Sequence, residues 1–376
     1  MCPRCGNKNL KYIGYKNGRP YCRKCISFKG ESAQPFQPSL SSPKLDLNYP
    51  LSDDQKDISN RVIENFKNRK DTLINAVCGA GKTELVYGVI MFALMNKMSV
   101  AFALPRRDVT LELFFRIKEA FPNNVVTAVY GNHTSSLTGD IVILTTHQLY
   151  RYEHYFDLII LDEIDAFPYN GNSLLNSMFK RALKGHCVLM SATPSQQVIE
   201  YFQQNGREIL ELNTRFHRHP LPVPRFVIRY GMFKFLFLVK TLKGYIQEHK
   251  PVFIFTPTIE MAEDLFHKLK LVIPNGNVVH SKKENRPQII SDFRLRKYDY
   301  LVTTAVLERG VTIKNIQVII YQSDHDIYDE HSLIQISGRV GRKIDAPEGE
   351  VIFLASKETE FMRLARETII KKNTYL

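Results

Sequence analysis

The sequence predicts an α/β protein of two parallel-sheet lobes preceded by a small metal-bound module. Three observations predict it. From about residue 51, short β-branched runs alternate with helical patterns, as strands joined by crossover helices require. The first such run ends in a glycine-rich loop closing on Gly-Lys-Thr. Ahead of both stand four cysteines in two CxxC pairs.

Composition bounds the reading. The chain has 376 residues, 44% apolar and 24% charged, which is ordinary globular usage and excludes wholesale disorder. That length supports two or three domains with cores of their own. The longest nearly apolar stretch, Leu85 to Met95, is half the roughly 20 residues a membrane-spanning helix needs. No apolar signal-peptide core opens the chain, so a cytoplasmic protein is expected. Six cysteines are too few for a disulfide scaffold.

Residues 1–30 read as a zinc module. Cys2, Cys5, Cys22 and Cys25 put two sulfurs on each of two tight turns, and the stretch between can fold as a hairpin. Four thiolates close a tetrahedral site with no open position, so the zinc is structural and drives folding. The module holds eight Lys or Arg and no Asp or Glu, out of a net charge of +13 for the whole chain. Such a module on a nearly balanced body predicts a polyanionic partner. Lys11, Lys16, Arg19, Arg23 and Lys24 interleave with Tyr12, Tyr15, Tyr21 and Phe28, suiting phosphates and stacked bases, although some of these rings serve as the module's miniature core. Residues 31–50, with Pro35, Pro38, Pro43 and Pro50 and no apolar period, read as a linker.

The body divides at Arg215-Phe-His-Arg-His-Pro-Leu-Pro-Val-Pro224, whose prolines resist helix and sheet. The expected lobes are 51–215 and 226–376, with a hinge at 216–225. First-lobe strands are expected at Thr72–Val77, Ser99–Leu104, Asp140–Thr145, Leu158–Asp162 and Cys187–Ser191. Second-lobe strands are expected at Val252–Thr256, Tyr300–Thr304, Val318–Tyr321 and Val351–Leu354.

The chemistry follows the first strand. Cys78-Gly-Ala-Gly-Lys-Thr83 is a phosphate loop in strand–loop–helix context, although Ala76 stands where the strict pattern has glycine. Gly79, Ala80 and Gly81 let backbone amides curl around phosphate oxygens, Lys82 reaches the β- and γ-phosphates, and Thr83 ligates Mg²⁺. The apolar run Leu158–Leu161 ends in Asp162 and Glu163. There Asp162 holds Mg²⁺ through water and Glu163 activates the attacking water. Near the other end, Gln335-Ile-Ser-Gly-Arg339-Val-Gly-Arg342 opens a helix pattern that aims Arg339 and Arg342 from one face, as arginine fingers would. Three features take plainer readings. Cys187 and His186 pack beside a strand, Asp324-His-Asp326 is a solvated loop, and Phe233–Leu238 is helix core.

In this order the motifs resemble superfamily 2 helicases and translocases, over roughly residues 51–345. Ala76–Thr83 is similar to motif I, where alanine is usual. Asp162-Glu-Ile-Asp165 is similar to motif II, Ser191-Ala-Thr193 to motif III, and Gln335–Arg342 to motif VI, with Ile336 where many members carry a further arginine. The resemblance implies two RecA-like lobes with ATP and Mg²⁺ between them. It implies that Gln55 reads adenine, that Gly310, in Glu308-Arg-Gly310 of a motif V-like stretch, belongs to the nucleotide site, and that Ser191, Thr193 and Gln335 couple through Asp165. Arg106 and Arg107 of Leu104-Pro-Arg-Arg107, Thr146, Thr258 and Thr304 stand at strand-contacting positions and imply phosphate contacts. Together with the cysteine module, Pro-Arg-Arg-Asp-Val and the Arg-Phe-His-Arg-His-Pro-Leu-Pro hinge, the chain is similar to the ComFA family of late competence ATPases. That family implies ATP-driven movement of incoming single-stranded DNA at the inner face of the membrane, with a membrane DNA channel and other competence proteins as partners. No insertion suggests a wedge, so translocation without unwinding is expected. Two other readings stay open: a replication-restart or RNA helicase, and a non-catalytic zinc-dependent nucleic-acid-binding protein. Intact Lys82, Thr83, Asp162, Glu163, Arg339 and Arg342 weigh against the second.

Overall fold

The computed structural model describes the chain except residues 1, 3, 29, 48, 78, 132–135, 166–170, 308–310 and 375–376. It falls into two compact units, residues 1–77 with 81–212 and residues 78–80 with 213–376. Among the described residues no helix is long and apolar enough to cross a membrane.

The first unit opens with an antiparallel hairpin, β1 (Ile13–Lys16) and β2 (Arg19–Cys22). Seven strands follow: β3 (Thr72–Ala76), β4 (Val100–Leu104), β5 (Val126–Val129), β6 (Ile141–Thr145), β7 (Phe156–Asp162), β8 (Leu183–Ser191) and β9 (Glu208–Leu212). All pair in parallel in the order β5-β6-β4-β7-β8-β3-β9. The second unit holds β10 (Arg225–Ile228), β11 (Val252–Phe255), β12 (Gly276–Val279), β13 (Tyr300–Thr303), β14 (Gln317–Tyr321) and β15 (Val351–Ala355). These too are all parallel, in the order β10-β15-β14-β11-β13-β12. Central strands such as Val100–Leu104 and Val351–Ala355 are buried at every position, as helices on both faces of a parallel sheet demand.

Four strands went unnoticed in the sequence: β5, β9, β10 and β12. Each is an edge of its sheet. An edge strand is short and half wet: Glu208-Ile-Leu-Glu-Leu212 is interrupted by acids, and Arg225-Phe-Val-Ile228 is four residues long and buried at one position.

Residues 31–50, expected as a linker, carry no regular element yet are tied to the first unit. Ser39 donates to Asp140 from both N–H and Oγ, at 2.9 and 2.6 Å. Asp46 N–H donates to the Ala120 carbonyl at 2.8 Å, and the Phe36 ring meets Tyr155 edge-on. These bonds join side chains and isolated carbonyls, so they leave no period in the sequence. Asp140 is buried, which alone would raise its pKa, but the Ser39 hydroxyl and the Ser39 and Val125 N–H groups hold it below the usual value.

The run Phe233–Leu238 is only partly core. Helix Gly231–Gln247 buries Lys234, Leu238, Leu242 and Tyr245 at i, i+4, i+8 and i+11, while Phe233 is 71% and Leu236 52% exposed. Only one stripe of this helix meets the sheet. Cys187 takes its plain reading: it is buried on β8, with its N–H on Asp71 Oδ1.

Candidate nucleotide, metal and strand-contact sites

The phosphate-loop sequence lies between the C-terminal end of β3 and helix Lys82–Leu85, both in the first unit. Gly79 and Gly81 have φ of +86° and +74°, in the left-handed region that suits glycine. A Cβ on Gly81 would lie 2.6 Å from Gln55 Nε2, so the Gln55 amide sits directly against the loop. Gln55 is held there by a capping box. Its backbone N–H donates to Ser52 Oγ, and its Oε1 accepts from the Ser52 N–H at 2.9 Å.

The acidic turn ends β7, two strands from β3. Enclosure pushes Asp162 up to about 6; Lys82 pulls against that rise, and Glu163 and Asp165 add to it. The Lys82 charge is thus close enough to favour the ionised Asp162 carboxylate. Asp162 Oδ1 accepts the Glu163 N–H at 2.8 Å. Glu163 itself has φ of +55°, an uncommon conformation for this residue at a site of expected chemistry. Ser191 Oγ donates to Asp165 Oδ1 at 2.6 Å, and Thr193 Oγ1 donates to Oδ2 at 3.1 Å. The end of β8 is thereby clamped to the acidic turn. Thr83 is half-buried at the start of its helix.

The second unit carries the arginine pair, with one correction. Helix Glu330–Ser337 ends before Arg339, so the motif closes a helix instead of opening one. Gln335 lies buried in its last turn. Gly341 has φ of +68°, and a Cβ there would meet the Pro347 carbonyl oxygen at 2.1 Å, so the chain must turn at glycine. Arg339 is buried and donates to the Val311 carbonyl at 3.1 Å; Arg342 Nε donates to the Gly338 carbonyl at 2.9 Å. The turn is pinned by Arg215, expected as the last residue of the first lobe. The Arg215 guanidinium is buried and donates to the Gly341 and Val340 carbonyls at 2.8 and 2.9 Å. His217 Nε2 adds a third bond to Gly341 O at 2.9 Å, while its Nδ1 accepts from the His219 N–H. Arg215 stands more than 120 residues from its partners in the chain, so no local pattern announces it. Gly310 lies outside the described residues.

The strand-contact candidates follow strand ends. Arg106 and Thr146 come just after β4 and β6, whose last residues Leu104 and Thr145 are paired. Arg106 is half-buried and Arg107 exposed over the Tyr130 ring. Thr146 is fully buried, and its hydroxyl has no hydrogen-bond partner among the described residues. Half-buried His147 is the nearer surface group. In the second unit Thr258 Oγ1 caps helix Ile259–Lys270, and Thr304 follows β13. Beside them His280, just past β12, donates from Nε2 to Glu263 Oε1 at 2.7 Å, and Lys283 binds the same carboxylate at 3.0 Å. This network also escaped sequence reading.

The four cysteines meet. Their sulfurs all lie within 4.8 Å of one another, with Cys2–Cys25 and Cys5–Cys22 each at 3.7 Å. Four Zn–S bonds of about 2.3 Å in a tetrahedron imply sulfur separations of about 3.8 Å, so the set fits Zn²⁺. Among the described residues no other His, Cys, Asp or Glu group has metal-site geometry. Burial alone would raise the Cys2 thiol, yet the Cys5 and Arg4 N–H groups bring it to about 7. Burial and neighbouring thiols push Cys25 up. Four crowded thiols cannot all ionise without a cation among them.

Residues 48–196 match the family described as type III restriction enzyme, res subunit, and residues 234–343 match the helicase conserved C-terminal domain. The chain is similar to competence protein ComFA of Bacillus subtilis strain 168, at 33% identity over 398 residues, covering 99% of this chain and 85% of the relative. It is similar to competence protein ComFA of Streptococcus pneumoniae R6, at 32% identity over 370 residues, covering 94% and 85%. Its fold is like that of S. cerevisiae Dbp5 bound to RNA and ADP BeF3, with a TM-score of 0.65 at 16% identity over 87% of this chain and 92% of the other. Similarity at that level along nearly the whole chain, on a helicase-core fold, makes this protein a member of the ComFA competence-protein family and a DNA-dependent ATPase of helicase type.

Proposed function

We propose that the protein is an ATP-driven translocase of single-stranded DNA that serves DNA uptake during competence. The near-full-length similarity to two competence proteins carries this reading. In it, ATP binds between lobes 51–215 and 226–376, which hinge at 216–225. Gln55 contacts the adenine, and Lys82 with the Gly79–Gly81 amides holds the phosphates. Thr83 and Asp162 would hold Mg²⁺, which when bound neutralises phosphate charge and orients the γ-phosphoryl group. Glu163 takes the proton of the attacking water. Arg339 and Arg342 stabilise charge on the transferring group, and the Asp165, Ser191 and Thr193 cluster passes the change to the strand-contact residues. Arg106, Arg107, Thr258 and Thr304 grip the phosphate backbone irrespective of base. Cys2, Cys5, Cys22 and Cys25 hold a structural Zn²⁺. The protein works peripherally at the inner face of the membrane, beside a DNA channel and other competence proteins.

The test is ATP turnover by the zinc-loaded protein alone, and with single-stranded DNA, duplex DNA or single-stranded RNA, with Lys82→Ala as control. Strong stimulation by single-stranded DNA alone, abolished in the control, is the expected result. Preference for RNA or duplex would select the replication-restart or RNA helicase reading instead. Absence of turnover under every condition would leave a zinc-dependent binding protein.

A further inference from the structure

The zinc module is part of the first unit, and it packs beside the strand-contact segment. Its four cysteines belong to the same buried cluster as Leu149, Tyr150, Leu175 and Met178. Phe28 stacks on His147, with ring centroids 6.2 Å apart and planes at 18°, and meets Tyr150 at 5.6 Å. The Arg4 guanidinium lies over the Tyr150 ring and donates to the Phe28 carbonyl. Arg151 closes the junction: its guanidinium donates to the Glu31 carbonyl and to Gln148 Oε1, and its own carbonyl accepts from Ala33 N–H. The segment Thr146–Arg151 thus touches the sheet on one side and the zinc module on the other.

Between the module and helix Ser173–Ala182 runs a groove of about 340 Å³, lined by Asn7, Lys8, Asn9, Lys24, Ser173 and Ser177 among others. No lining residue is acidic, and the module itself has no acid at all. Lys24 at its rim lies over the half-exposed Tyr12 ring, and Tyr15 nearby is 74% exposed. Cations with amide and hydroxyl donors suit phosphates, and exposed tyrosine faces suit bases.

We propose that this groove and the Tyr12–Tyr15 face bind the backbone of a single-stranded polynucleotide, extending the surface begun by Arg106, Arg107 and His147. The inference rests on the single-strand reading above. Positive charge with no acid among the lining residues selects a polyanion, and the unstacked rings select one with free base faces. Zinc held by the four cysteines would fix the module's wall of the groove beside the segment 146–151.

The test measures binding of oligothymidylates of graded length by the full-length, zinc-loaded protein across a salt series. The native protein should gain affinity with length beyond the point where a variant carrying Lys8→Gln, Lys24→Gln and Tyr12→Ser stops gaining. With two phosphate contacts removed, the slope of log affinity against log salt should flatten by about 1.4. Zinc content of one per chain verifies the variant's fold, and a Lys8→Arg, Lys24→Arg pair should keep the native slope. Equal slopes and equal length dependence in native and Gln variants would overturn the inference, as would loss of slope in the arginine pair. Failure of the native protein to bind any length would overturn it together with the single-strand function; native binding without the length effect would overturn the groove alone.

Discussion

Asp162 shows how one residue's environment becomes a measurable property. Its carboxyl is held up at about 6 against an ordinary 3.8, because enclosure disfavours its charge more than Lys82 favours it. The folded state therefore binds this proton more tightly than the unfolded chain does. The stability it contributes is complete below the unfolded value and is lost as pH rises through about 6. At pH 8 the metal-free protein carries a charge its fold resists. Asp162→Asn should then melt higher than the native protein at pH 8, by about 1–2 kcal/mol, with the gap closing toward pH 5. Thermal melts at the two pH values check the sign. The same change should cut magnesium-dependent ATP turnover about 10–100-fold, since it removes an anion from around the metal. A residue that binds a cation is costly while empty, and the motif-level role and the strain are two aspects of one site.

At the scale of elements, the arginine turn depends on a bond from far away in the chain. Residues 338–342 continue no helix, and three carbonyl bonds from Arg215 and His217 hold them in place. Arg215→Ala would leave the Val340 and Gly341 carbonyls short of donors and free the turn to shift. A displacement of about 1 Å in a catalytic group costs on the order of 100-fold in rate. The expected outcome is a kcat loss of about that size, with KM for ATP nearly unchanged and with Arg215→Lys recovering part of it. Steady-state kinetics on the three proteins would decide it; a rise in KM with kcat intact would assign Arg215 to ground-state binding instead. The acidic turn has a similar support in Ser191 and Thr193, but there the tripeptide itself signalled the contact.

For the whole molecule, the cysteine module and the segment 146–151 share one buried cluster, so in the proposed reading zinc and that segment belong to one cooperative unit. Thirty residues with a two-stranded hairpin have little core without the metal. Chelating zinc should unfold the hairpin Ile13–Cys22 and expose Phe28, Tyr150 and Leu149. Hydrogen exchange in residues 146–151 should then accelerate, while strands β11 and β14 of the second unit keep their protection. Exchange measured with and without chelator checks this. Unchanged protection at 146–151 would mean that the module rides on the lobe without supporting it.

Much of this protein could be read along the chain. The phosphate loop, the acidic strand end, the paired cysteines and the buried central strands are contiguous, and their chemistry or periodicity is local. What folding alone decided are the relations between distant segments and the behaviour of half-wet surfaces. The four edge strands are four or five residues long and only partly buried, and the strap at 31–50 is held by scattered polar bonds without a period. Thr146, at a motif position that suggested a phosphate contact, is buried in the fold. Arg215 reads as the end of the first lobe, beside the hinge, until the chain brings Gly341 to it. Sequence patterns report what a residue can do within a turn or a strand; which carbonyl it reaches is a property of the packed chain.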